Sequence, residues 1–169
     1  MASSPARNFN RGSLTTRSSV PNIPGMPDKI RPRSPRETMC GWMHLPRYVD
    51  KVRLHLAGKL APDYQSNLGK GFDERWLKAA GLTHESFIKV VGDTITDGEV
   101  ADWVSKNVHR SDDDKAALAR AILNYPAPGD VKMWERLAMR KRESGLENRD
   151  DIQCFVDYID ADEGRARGD

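Results

Sequence analysis

Residues 34–73 read SPRETMCGWMHLPRYVDKVRLHLAGKLAPDYQSNLGKGFD, and the pattern inside them decides the fold class. Trp42, Leu45, Val49, Val52 and Leu56 recur at steps of three, four, three and four, the spacing of one apolar helical stripe. Pro46 suits a first helical turn and Gly58 a left-handed stop. Upstream, Ser34-Pro35-Arg36-Glu37 reads as a separate helix start, with Ser34 as cap and Glu37 reaching back to the cap amide. Downstream, Asp63-Tyr64, Asn67 and Gly69-Lys70-Gly71-Phe72-Asp73 are turn formers and predict a loop.

The side of this helix opposite the stripe is polar. Arg47, Lys51 and His55 follow at steps of four, His44 stands one turn earlier, and Asp50 lies beside them. Tyr64, Lys70 and Asp73 can converge on that side from the loop. These eight residues are the candidate binding residues. Cations at this spacing suit an anion, or simply a solvated face whose charges pair with neighbours.

The rest of the chain is short helices with clear punctuation. Asp73 predicts a capped helix through Trp76 and Leu77, stopped by Gly81. Thr83 opens the next, with Phe87, Ile88 and Val91 apolar and Gly92 at its end. Thr96 and Glu99 form a capping box ahead of Val100, Trp103 and Val104. Ser111 starts DDDKAALARAILN, whose aspartates sit where the helix dipole favours them. Asp130 caps a helix carrying Val131, Trp134 and Leu137, with Arg140, Lys141 and Arg142 at its basic end. A last helix runs from about Asp151 to Ile159. No segment alternates apolar and polar long enough to require a strand.

The expectation is therefore all-α: a compact single-domain array of six to eight short helices over residues 34–160. Its predicted core holds Trp42, Leu45, Val49, Val52, Leu56, Leu77, Val91, Val104, Leu118, Ile122, Leu137 and Phe155. Residues 1–33, rich in Ser, Pro and Arg, read as a disordered basic tail, and residues 161–169 as a frayed acidic end. Residues 1–36 hold seven Lys/Arg against one acid, and the remainder 20 basic against 24 acidic residues. A basic tail on an acidic domain suits a solvated appendage, or an arm for nucleic acid. Its arginines are not interleaved with aromatics, which argues against single-strand stacking.

Three blocks, PRSPRETMCGWMHLPRYVDKVRLHLAGKL, DYQSNLGKGFDERWL and FVDYIDADEGR, resemble an uncharacterised bacterial family, the domain-of-unknown-function family numbered 5069. The resemblance runs from about Arg31 to Arg165. It implies a bacterial, cytosolic protein of a family without an assigned activity, and it supplies no catalytic residues. It also implies a small residue such as glycine at position 40, where this chain carries Cys40.

Several function classes fall away on spacing. His44 and His55 are eleven residues apart, about 16 Å along a helix, too far for one ion, so no metal is expected. Gly69-Lys70-Gly71 lacks the longer glycine-rich run and the Ser/Thr of a phosphate loop, and no cofactor is implied. Ser86 and Cys154 have no nucleophile motif around them. No apolar run approaches a membrane span. Cys40 and Cys154, with no secretory signal, suit a reduced pair in the cytoplasm. The reading is a small helical binding or interaction protein that uses the polar basic face of its central helix, its partner an unknown protein or a small anionic ligand. The alternative is an enzyme with a His/Arg/Asp/Lys pocket between that helix and the Tyr64–Asp73 loop.

Overall fold

The computed structural model describes residues 29–165. The expected nucleic-acid arm falls mostly on residues 1–28 and the end of the acidic terminus on residues 166–169, both outside the described residues. Within them the chain forms eight helices and one two-stranded hairpin.

The hairpin corrects the expectation that no strand is needed. β1 (Thr38–Met39) pairs antiparallel with β2 (Trp42–Met43), in the register Thr38 to Met43 and Met39 to Trp42. Its two-residue turn, Cys40-Gly41, has φ of 44° and 82°. Both are left-handed, as the tightest hairpin turns require, and only glycine adopts that region without strain. A small residue at position 40 therefore has a backbone reason. The predicted helix start at Ser34 is a turn instead: the Arg36 amide donates to Ser34 Oγ at 3.1 Å and the Glu37 amide to the Ser34 carbonyl at 3.2 Å.

α1 (Leu45–Leu56) follows the hairpin with Pro46 in its first turn. It touches β1, α3 (Phe72–Ala80) and α4 (His84–Gly92), which makes it the centre of the packing. α2 (Pro62–Gln65) is a single turn inside the stretch predicted as loop. α5 (Asp97–Asn107) and α6 (Asp112–Leu123) complete the shell; α6 packs on α3 and β2. α7 (Val131–Glu143) and α8 (Phe155–Asp162) close the chain, packed on each other.

Local chemistry sets most helix starts. Thr83 with Ser86, Thr96 with Glu99 and Ser111 with Asp114 form reciprocal capping boxes, and Asp130 accepts from the Met133 amide. Each such cap stabilises its helix by about 1 kcal/mol. Asp73 is the exception: α3 begins at Phe72 behind Gly71, and Asp73 lies inside the first turn with its carboxylate turned elsewhere.

The core is an aromatic cluster around α1. Tyr48 and Trp76 each pack on Phe87, at 4.8 and 4.7 Å between ring centroids, and Trp42 meets Trp76 edge-on at 6.1 Å. Leu45, Val49, Val52, Leu77, Val91, Val104, Leu118, Ile122 and Leu137 are buried as expected. Leu56 is not, being 51% exposed. It continues the stripe's spacing but lies at the last residue of α1, beyond the packed neighbours. Phe155 is only partly buried, stacked on Tyr125 at 5.4 Å.

Candidate functional site

The polar side of α1 is inside the molecule. Arg47 and Lys51 are each 5% exposed, and His44 just ahead of the helix 2%. A basic face open to a partner is thus not what these residues form; each cation instead meets a carboxylate brought from elsewhere in the chain.

The first centre is built on Asp73. Gly69 and Gly71 have φ of 74° and 60° and turn the chain so that the first turn of α3 points under α1. A Cβ on Gly69 would sit 2.7 Å from the His84 ring, so the approach demands glycine twice over. Asp73, 1% exposed, then accepts from His44 Nε2 at 2.7 Å, from the Gly69 amide at 2.9 Å and from the Lys51 ammonium. Lys51 also donates to the Asn67 carbonyl at 3.2 Å. Burial alone would raise the Asp73 carboxyl, but the His44 hydrogen bond and the Lys51 charge outweigh it and hold the group below the usual carboxylate range. For His44 burial prevails over the Asp73 contact and depresses the imidazole below its ordinary value. The neutral ring donates from Nε2, which leaves Nδ1 as the acceptor, buried and with no hydrogen-bond partner among the described residues. His44 has φ of 71°, so the residue is held in a strained conformation by its surroundings.

The second centre is built on Glu163. Arg47 grips its carboxylate with both terminal nitrogens, at 2.9 and 2.6 Å, and donates to the Arg33 carbonyl at 2.7 Å. Tyr64 donates its hydroxyl to Glu163 at 2.8 Å, and Arg165 pairs with Glu163 and with Asp160. Burial would raise Glu163; Arg47 and its other donors reverse this and lower it. Further along α8, Asp157 takes Arg36 at 2.5 Å, and Asp160 accepts from Ser34 Oγ at 2.9 Å. A third group lies on the far side of α1, where Arg33 binds Asp50 at 2.8 Å and Asp97 at 2.7 Å.

The eight candidate residues therefore scatter. His44, Lys51 and Asp73 meet at one carboxylate, Arg47 and Tyr64 at another. Asp50 pairs with Arg33, not with Lys51. His55 shares an exposed hydrogen bond with Gln65 at the end of α1, and Lys70 donates to the Ser66 carbonyl on the surface. Sequence reasoning missed Arg33, Asp157, Asp160, Glu163 and Arg165. The sequence places Lys29–Arg33 in the tail, yet Pro32 is buried and its carbonyl accepts from Arg47 and Arg165. It places Glu163 in a frayed end, yet Glu163 is 7% exposed. A legible signal existed: Asp157, Asp160 and Glu163 stand at steps of three, which puts three acids on one face of a helix.

Two clefts on the described residues lie away from Asp73: one beside the hairpin, and one between Arg36 and α8, lined in part by Asp157, Asp160 and Arg165 of the second network. Neither is lined by His44, Lys51 or Asp73. Among the described residues no helix is long and apolar enough to cross a membrane, and no three His, Cys, Asp or Glu side chains converge as metal ligands would.

Both charge centres lie within the stretch that the family described as Domain of unknown function (DUF5069) matches, residues 29–165. The chain belongs to this family. Comparison with curated proteins finds no match.

Proposed function

We infer that this DUF5069 protein is an interaction module whose contact surface is α7, where it receives an acidic protein segment with apolar anchors. The observation that carries the reading is the composition of that helix's outer side. Val131 and Trp134 stay 65% and 40% exposed, and Met139, further round the helix, 42%. The same helix carries Lys132, Arg136, Arg140, Lys141 and Arg142 against two acids, Glu135 and Glu143, the latter paired with Arg140.

An exposed aromatic flanked by arginines is the residue combination of interaction hot spots. Trp134 is also preorganised, since its indole nitrogen donates to the Ala127 carbonyl at 3.1 Å and the ring has little freedom left to lose on binding. The catalytic alternative asks for open space over His44, Lys51 and Asp73, and those groups are packed instead. Cys40 and Cys154 are both free thiols, which suits a reducing, cytoplasmic setting.

The test uses the full chain, isotope-labelled, titrated with a synthetic amphipathic peptide of Leu and Glu. Saturable shifts on α7, lost on raising salt and weakened at least tenfold by Lys132→Glu with Arg136→Glu, support the assignment. A tenfold loss corresponds to about 1.4 kcal/mol. Shifts that do not saturate, or that lie away from α7, refute it.

A further inference from the structure

The cleft beside the hairpin has no role in the charge network or in the α7 reading. It is a half-open cleft of about 190 Å³. Trp42 and two valines give it apolar lining, and Cys40, Ser105, His109, Arg110 and Lys115 polar lining. No carboxylate lines it.

That absence matters, because the inward-facing cations Arg47 and Lys51 each meet a carboxylate at close range, whereas the cations here share their cleft with none. Lys115 has Asp112 at 3.2 Å, but that carboxylate is 99% exposed and stands outside the cleft. Such a surface pair is weak and easily exchanged for a better anion. Arg110 spends its Nε on the Ala79 carbonyl at 2.7 Å and one terminal nitrogen on the His109 carbonyl at 3.2 Å. These bonds fix the guanidinium while keeping its charge uncompensated by any carboxylate among the lining residues. The Asp114 carboxylate, held low chiefly by the Ser111 cap at 2.8 and 3.0 Å and in smaller part by the Arg110 charge, is not among the lining residues.

Gly41 brings the backbone close to the lysine: a Cβ there would meet Lys115 at 3.1 Å. The hairpin turn thus serves as the rest on which the lysine stem lies. Arg110 and Lys115, with an imidazole and a hydroxyl, set donors around one small space that no carboxylate lines.

We propose that this cleft is a binding site for a phosphate dianion, free or as the headgroup of a small phosphomonoester. Arg110 and Lys115 supply the charge, and Ser105 and His109 the directed hydrogen bonds. Size decides the class. At about 30 Å³ of liquid per water, the space holds roughly six waters. It accommodates a phosphate with a few attached atoms, while a nucleotide needs the larger pockets of about 300 Å³ and upward that drug-sized ligands fill.

The experiment titrates the isotope-labelled full chain with inorganic phosphate, glycerol phosphate and acetate at matched ionic strength. Phosphate is expected to shift the amides of Gly41, Ser105, His109 and Arg110 saturably, with half-saturation at or below about 1 mM, the affinity of a few charge-assisted hydrogen bonds. Lys115→Met should raise the dissociation constant at least tenfold, while Lys89→Met, on an exposed pair with Asp93, leaves it unchanged. Ser105→Ala gives a second reading should the lysine variant fold poorly, with an expected severalfold loss. Glycerol phosphate binding more tightly than phosphate identifies a monoester as the ligand, and the reverse order identifies free phosphate. Equal shifts with acetate, shifts that fail to saturate, or wild-type affinity in Lys115→Met overturn the proposal.

Discussion

Replacing Asp73 by alanine should unfold a large part of the stability margin. The carboxylate is 1% exposed and accepts from His44 Nε2, the Gly69 amide and the Lys51 ammonium. Its removal strands the Lys51 charge at 5% exposure, with one carbonyl, that of Asn67, as its remaining partner. Breaking a buried pair by deleting one member costs about 3–5 kcal/mol, against a total of about 5–15 kcal/mol for a domain. At roughly 3–4 °C per kcal/mol for this size, the melting midpoint should fall by about 10–20 °C. Asp93→Ala removes an ion pair of the same type on the surface, whose lysine is 77% exposed, and should cost under about 0.5 kcal/mol. The double variant Lys51→Met with Asp73→Ala removes the stranded charge as well, and should be more stable than Asp73→Ala alone. Thermal melts followed by far-UV circular dichroism measure all three. A Asp73→Ala midpoint within a few degrees of wild type, or a double variant less stable than the single, would refute a buried ion pair at this place.

Three further outcomes follow from the same geometry. Stability should begin to fall as pH drops below about 6.5, where unfolded histidine takes a proton that His44, its pKa depressed by burial, resists; the unfolded chain then binds more protons, giving up to about 1.4 kcal/mol per pH unit. A second loss should come below about pH 4, because Asp73 and Glu163 are held low in the fold and their stabilisation disappears as pH falls through those depressed values; urea midpoints that stay flat from about pH 7 to 5 contradict the first limb. Cys40→Gly relieves a non-glycine φ of 44° and should leave stability unchanged or raise it by up to about 1 kcal/mol, and a clear loss in chemical denaturation would mean the thiol's packing outweighs the strain. Truncation through Asp28 removes a polar, Ser-, Pro- and Arg-rich segment with few apolar side chains and should leave the melting midpoint in place, whereas truncation through Arg33 deletes the guanidinium on Asp50 and one of the two on Asp97 and should lower it; equal midpoints for the two truncations would show that Arg33 contributes nothing.

What the sequence discloses and what it hides divide along chain distance. The caps at Thr83, Thr96, Ser111 and Asp130 were legible because donor and acceptor lie three residues apart, and so was the apolar stripe of α1 up to Val52. The hairpin was not, since two-residue strands are too short to show any alternation. Arg47 and Lys51 at a step of four look like a solvated face. What buries them is Glu163 and Asp73, 116 and 22 residues away, and nothing local marks either acid as their partner. Leu56 erred in the opposite sense, for periodicity carries on to a helix's last residue whether or not a neighbour remains to cover it.

The Arg47–Glu163 pair also bears on the order in which the fold can form. Its members stand 116 residues apart, whereas His44 and Lys51 find Asp73 within 29 and 22 residues. The Asp73 centre can therefore close from near neighbours, together with the aromatic cluster around Tyr48. The guanidinium on the same helix must wait for a partner from far along the chain, and closing a loop over that distance is the slower step. One part of the polar side of α1 is thus set early and the other late.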